Sequence, residues 1–276
     1  MVKKGRNMIP KTIHYCWFGK GEIPEKDKEC IESWKKHCPD YEIMLWNEGN
    51  YDISKNKYMQ QAYQEGKWGF VPDYARLDIV YNNGGIYLDT DVEIIQSFDD
   101  LLNNKGFAGF EEDRYVALGL GFGAEKNNPL IKKMRDQYDG LSFINEDGTL
   151  NTIPSPVLST QILEEAGYIM DGSFQCIDGF NIYPSEYFCP MDYQTGEVII
   201  TKYTKSIHWY NASWFTDIRK KETNVKRRLC RTFGIGLGNK LFIIYKYALN
   251  PKRLVKRLLY KDDIYYKEKA RGENQE

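Results

Sequence analysis

The sequence predicts an α/β fold, and three observations carry the prediction. Strand-like and helix-like stretches alternate from the start of the 276-residue chain. Glycine, proline and asparagine stand at the junctions between them. Carboxylates gather where one of the strands should end, at the side of an α/β sheet on which ligands collect.

The elements follow in order. "KTIHYCWFG" reads as an apolar strand ended by Gly19. "PEKDKECIESWKKHCPD" reads as a helix, with Cys30, Ile31, Trp34 and Cys38 at helical spacing and Pro39 as its stop. "YEIMLWN" is a second strand. "VPDYARLDIVYNNGG" predicts a helix entered at Pro72 and left through Asn82, Asn83 and Gly84. Next, "GGIYLDTDVEII" reads as a strand with Asp89, Asp91 and Glu93 on one face and Leu88, Thr90 and Val92 on the other. From Gly140 to about Tyr193 the pattern is less regular, with loops around Pro154, Pro156 and Gly179. "EVIITKYTKSIHWYNASW" gives a further strand and a turn rich in aromatics. The sheet should be largely parallel near the start, which makes Trp17–Gly19 and Asp89–Glu93 spatial neighbours.

Charge and apolar content are ordinary for a globular protein. The net charge of −1 hides an asymmetry. From Arg219 onward 17 Lys and Arg face 6 Asp and Glu, a balance of +11, against −12 for residues 1–218. That contrast divides the chain into a body, 1–218, and a basic tail, 219–276. The six cysteines show no Cys-x-x-Cys spacing, and the first residues lack the apolar core of a secretory signal. A reduced, cytoplasmic setting without disulfides is the expectation.

Carboxylates as close as Asp89 and Asp91 repel one another unless something positive sits among them. A hard divalent cation, Mg²⁺ or Mn²⁺, would answer that need while keeping positions open for water and phosphate oxygens. A bare Asp-x-Asp serves equally as a solvated strand end or an acceptor for loop amides. On the preceding helix Asp73 and Arg76, three apart, share a face that can overlook the same pocket. A dehalogenase-type phosphatase is disfavoured, because Glu93 stands where its pattern has Thr or Val and the motif arrives late in the chain.

"IPKTIHYCWFG", "FVPDYARLDIVYNNGGIYLDTDVE" and "SIHWYNASW" resemble the family-32 glycosyltransferases, collinearly from about Ile9 to Trp214. The family includes bacterial capsular-polysaccharide sugar transferases and, distantly, the clostridial glucosylating toxins. The resemblance implies a GT-A, Rossmann-like domain, a nucleotide-sugar donor, a divalent metal and retention of anomeric configuration. It implies Asp91 as the more direct metal ligand, with Asp89 bridging ribose, sugar and metal-bound water. Tyr87 matches an aromatic beside the nucleotide, while Asp73 and Arg76 match residues that hold the donor sugar. Trp17 would stack on the base, with Cys16 and Phe18 beside it. Pro72 stands where the family has a serine. His208, Asn211, Ser213 and Trp214 form a late element, read either as a lid with His208 and Asn211 at the metal or as residues packed at a strand end.

These readings predict a retaining hexosyltransferase using UDP-galactose or UDP-glucose. A GDP-mannose-dependent enzyme and a non-catalytic sugar-nucleotide binder are the alternatives. No nucleophile stands out, so same-face attack is the expected route. In the tail, basic clusters alternate with Leu, Ile, Phe and Tyr, and the longest apolar run, "LFIIY", falls short of the roughly 20 residues needed to span a bilayer. Such a tail suits the anionic inner face of the cell membrane, where a polyprenyl-diphosphate-linked acceptor would lie, or else packs on the body or a second copy. No nucleic-acid motif accompanies the charge.

Overall fold

The computed structural model describes residues 8–112, 114–211 and 217–249. The elements run β1 Thr12–Cys16, α1 Glu25–His37, β2 Glu42–Trp46, α2 Lys57–Gln64, α3 Val71–Asn83, β3 Gly85–Tyr87 and β4 Val92–Ile94. They continue with β5 Gly106–Glu112, β6 Tyr115–Val116, β7 Phe122–Ala124, α4 Pro129–Asp136, α5 Ser155–Glu165, β8 Gln175–Ile177, β9 Phe180–Tyr183, β10 Ser206–His208 and α6 Asp217–Leu249. The α/β class is the one predicted.

Among the described residues the main sheet has the order β2-β1-β3-β7-β5-β9-β8, with β6 added on β5. β2, β1 and β3 are parallel, as the early alternation predicts; β7 then runs antiparallel to β3 and β5, while β5 and β9 are parallel. Side chains alternate across this sheet. Ile13, Ile86, Leu88 and Phe107 enter a cluster built around Trp34 of α1. Tyr87, Ala108 and Phe110 enter the other, with Ala75 and Ile79 of α3 and Met134 of α4. A sheet covered on both faces explains strands that read as nearly continuous apolar runs.

One expectation needs correction. The acidic stretch is not a single strand: β3 ends at Tyr87, residues 88–91 form a turn, and β4 pairs with β10 in a separate two-stranded sheet. Asp89, Asp91 and Glu93 therefore do not share a strand face. The entry to β3 is tight. Gly84 and Gly85 have φ of 69° and 98°, and a Cβ on Gly85 would meet Thr12 O and the His14 ring. His14 is buried and neutral there. Its Nδ1 accepts from Trp46 Nε1 at 3.2 Å, which leaves Nε2–H to donate to Gly84 O at 2.9 Å, and burial pushes its pKa down.

The chain divides into two compact units, Met1–Met191 with Val198–Trp214, and Asp192–Glu197 with Phe215–Glu276. The second unit contains α6, whose helical run is interrupted at Gly234 (φ 76°, ψ 158°). Within it Arg231 donates to Thr195 O at 2.8 Å, which ties residues 192–197 to the helix. No helix among the described residues is long and apolar enough to cross a membrane.

Candidate active site

The site grows from α3. Asp73 lies in its first turn, where the helix dipole favours a carboxylate. Arg76 Nη2 meets Asp73 Oδ1 at 2.9 Å, and both side chains are only 6% exposed. Arg76 Nε donates to Pro72 O at 3.1 Å, so the backbone at Pro72 contributes through its carbonyl. The guanidinium lies 5.1 Å over the Tyr87 ring and Nη2 stands 3.7 Å from Asp89 Oδ1. Tyr87 OH donates to the same oxygen at 3.0 Å. Asp89 keeps 31% of its side chain exposed, so it can still be reached. Burial pushes the Asp73 carboxyl up to about 6, against the pull of Arg76 and of the Ser155 hydroxyl, which reaches it from the start of α5.

Gly119 closes this half of the site. The Asp89 N–H donates to Gly119 O at 3.1 Å, and a Cβ on Gly119 would fall on Asp89 Oδ2 and within 3.1 Å of Arg76 Nη1. A side chain there would push the Asp89 carboxylate out of its place.

The other half is built around Asp91. β10 pairs antiparallel with β4, His208 opposite Val92, and so carries the late segment onto the turn. Asp91 O accepts Trp209 N–H at 3.0 Å, Asp91 Oδ2 accepts Asn211 N–H at 2.8 Å, and Oδ1 lies 3.2 Å from His208 Nε2. Glu93 accepts the Trp209 indole N–H at 2.9 Å. Burial pushes the Asp91 carboxyl up, but His208 and the Asn211 amide outweigh it and hold it below the usual range. Burial alone would lower the His208 pKa; Asp91, Asp89 and Glu111 raise it instead. The structure thus separates the aspartates, Asp89 to the arginine and Asp91 to the histidine.

Among the described residues no group of three or more His, Cys, Asp or Glu side chains is arranged to hold a metal ion. The donor set present nevertheless fits a hard cation shared with a ligand. Neighbouring ligands of an octahedral ion, each about 2.1 Å away, stand about 3 Å apart. Asp91 Oδ1 and His208 Nε2 have that spacing at 3.2 Å. Among the described residues, His208 Nδ1 is buried without a hydrogen-bond partner. The Asn211 side-chain nitrogen donates to Asp27 Oδ1 at 3.0 Å, and its carbonyl oxygen is the atom a cation would take.

At the end of β1 the Cys16 thiol is buried beside Tyr87, and burial pushes its pKa up to about 12. Phe18 is packed in the core edge-on to Tyr51. Trp17 is half-buried, with its indole N–H donated to Gly21 O at 2.6 Å. Ser213 and Trp214 lie outside the described residues. Sequence reasoning missed Gly119, Ser155 and Glu111; the glycine-dense "LGLGFG" was the available signal for the first.

Residues 24–108, which contain Asp73, Arg76, Asp89 and Asp91, match the family model described as glycosyltransferase sugar-binding region containing DXD motif. Inositol phosphoceramide mannosyltransferase 3 of Schizosaccharomyces pombe is 37% identical over 103 residues, covering 34% of this chain and 28% of that protein. Inositol phosphoceramide mannosyltransferase 1 of the same yeast is 28% identical over 127 residues, 40% of this chain and 38% of the relative. Subversion of eukaryotic traffic protein A of Legionella pneumophila is 28% identical over 119 residues, 33% of this chain and 18% of that protein. The chain thus spans less than two-fifths of the length of each of these relatives. Among solved structures, the PaToxG glycosyltransferase aligns with a TM-score of 0.44 at 23% identity, over 58% of this chain and 71% of its own. The galactosyltransferase LgtC, in complex with donor and acceptor sugar analogs, aligns at 0.38 and 14% identity, over 84% and 95%.

Proposed function

We propose that this chain is a metal-dependent, retaining glycosyltransferase with a GT-A body, residues 1–218, that moves a hexose from a nucleotide sugar to an acceptor hydroxyl. The observation that carries the reading is the division of the Asp-x-Asp pair. One carboxylate is held by a buried arginine and a tyrosine, and the other by a histidine at ligand spacing. In this reading Arg76, fixed by Asp73 and Pro72 O, stands with Asp89 at the hydroxyls of the donor sugar. Trp17 stacks on the base. Asp91 and His208 would hold Mn²⁺ or Mg²⁺, which would supply positive charge beside the diphosphate.

Transfer then requires one exchange at the anomeric carbon. Its bond to the diphosphate oxygen breaks with both electrons going to oxygen, and the acceptor oxygen forms the new bond on the same face. The acceptor's proton passes to the departing diphosphate. Retention by this route needs no protein nucleophile.

UDP-galactose and UDP-glucose are the leading donors. A GDP-mannose-dependent reading is favoured by one specific observation, the mannosyltransferase names of the yeast relatives. The proposed acceptor is a polyprenyl-diphosphate-linked saccharide of surface-polysaccharide synthesis at the inner face of the cell membrane, with the basic tail, 219–276, as the attachment. The test is nucleotide release from a panel of UDP- and GDP-sugars with Mn²⁺. Metal-dependent release supports the enzyme; tight nucleotide binding without turnover supports a binding protein instead.

A further inference from the structure

We propose that Asp27 is a positioning residue that clasps the Asp89–Asp91 turn to the 208–211 segment, and so keeps Asp91 and His208 side by side for the ion. The inference rests on the metal-binding reading above.

Asp27 lies in the first turn of α1 and is 1% exposed. A carboxylate so deeply buried costs several kcal/mol in desolvation unless its oxygens are well served. The helix N-terminus offsets part of that cost, and two side chains converge on the carboxylate. Thr90 Oγ1 donates to Asp27 Oδ2 at 2.9 Å, and Asn211 Nδ2 donates to Oδ1 at 3.0 Å. Thr90, itself buried, stands between Asp89 and Asp91 in the chain. Asn211 sends its backbone N–H to Asp91 Oδ2 at 2.8 Å. The result is a closed loop running from Asp27 to Thr90, along the chain to Asp91, across to Asn211, and back to Asp27.

The chemistry of the clasp is specific. An ionised carboxylate accepts at both oxygens and donates at neither, so one side chain can serve a hydroxyl and an amide nitrogen together. Asparagine at position 27 would keep both contacts only if the Thr90 hydroxyl turned to accept from its NH₂, and it would forfeit the charge that strengthens both bonds. The ring joins α1, the turn and the late segment, which lie 63 and 184 positions apart along the chain. Its product is the placement of Asp91. Removing groups that orient a metal's ligands commonly weakens metal affinity by about 10–100-fold.

The test uses the full chain and two readouts. Mn²⁺ binding in the presence of UDP or GDP is followed by electron paramagnetic resonance of the free ion, and backbone amide exchange is followed at Trp209 and Asn211. Asp27→Asn should weaken Mn²⁺ binding by about 10–100-fold and speed exchange at both amides. The reciprocal pair Asp27→Asn with Asn211→Asp lets position 27 donate to position 211 while still accepting from Thr90, and should recover most of both losses. Should Asp27→Asn fail to fold, Thr90→Val, which removes the hydroxyl at nearly constant volume, carries the same two measurements. The proposal is overturned if the single variants lower only the melting temperature while Mn²⁺ affinity and exchange stay as in the wild type. It is also overturned if the reciprocal pair is no better than Asp27→Asn. Should the wild type bind no Mn²⁺ with either nucleotide, the metal reading of the function fails, and exchange at Trp209 and Asn211 alone decides the clasp.

Discussion

At Gly119 a single methyl group would occupy the space used by Asp89 Oδ2 and crowd Arg76. Gly119→Ala should therefore lower nucleotide release by tenfold or more, about 1.4 kcal/mol in the barrier, with an unchanged circular-dichroism spectrum; wild-type turnover would contradict that placement. Asp73 carries a pH signature. Its folded pKa of about 6 lies above the ordinary 3.8, so the native state holds the proton more tightly than the unfolded chain. Its contribution to stability is present below about pH 4 and is lost as the pH rises through 6. Urea unfolding of wild type and Asp73→Asn at pH 4 and pH 7 should show the gap moving in the mutant's favour by up to about 3 kcal/mol, at about 1.4 kcal/mol per unit; a constant gap would contradict it. Asp73, Arg76, Asp89, Asp91 and His208 were legible because spacing or resemblance marked them. Gly119, Ser155 and Asp27 were not, because their partners are supplied by distant elements and no local pattern announces them.

Among the elements, α3 serves two sites with opposite requirements. Its Asp73–Arg76 face meets Asp89, while Asp78 anchors the helix elsewhere. Asp78 accepts from Tyr51 OH at 2.8 Å, Lys55 Nζ at 3.0 Å and Asn82 Nδ2 at 2.8 Å, with Arg135 Nη1 at 3.4 Å. Lys55 is 43% exposed and Arg135 retains Asp136, so the loss falls mainly on the buried Tyr51 hydroxyl, and Asp78→Ala should cost about 1–3 kcal/mol in urea unfolding. The Michaelis constant for the donor should stay unchanged wherever the variant is folded, and a selective loss of donor affinity would move Asp78 into the site. The helix itself was readable from its proline entry and glycine exit. The acidic stretch was misread because alternating polarity describes a strand face and also a turn whose polar side chains find separate partners. Thr90 on Asp27, Asp89 on Tyr87 and Glu93 on Trp209 are such partners, and only the fold brings them there.

For the whole molecule, the charge division between residues 1–218 and 219–276 was the plainest signal in the sequence, whereas the compact units part at Phe215 and group residues 192–197 with the second. Around Gly234 the side chains of Phe233, Ile235 and Leu237 are about half exposed, near Arg228, Arg231 and Lys240 in the chain. Apolar groups flanked by bases suit an anionic lipid surface, with each basic residue contributing about 1 kcal/mol. Truncation after Arg219 should spare soluble donor hydrolysis, abolish co-sedimentation with phosphatidylglycerol vesicles, and be mimicked by high salt. Full vesicle binding by the truncated chain would overturn the attachment. The central claim is metal-dependent glycosyl transfer through Asp91, and the most direct measurement is nucleotide release from the UDP- and GDP-sugar panel by wild type and Asp91→Asn, with Mn²⁺ and with excess chelator. The account predicts release that needs Mn²⁺ and falls at least about 100-fold, some 3 kcal/mol, in a folded Asp91→Asn protein. Release undiminished by chelator, or by the loss of the Asp91 carboxylate, would contradict it.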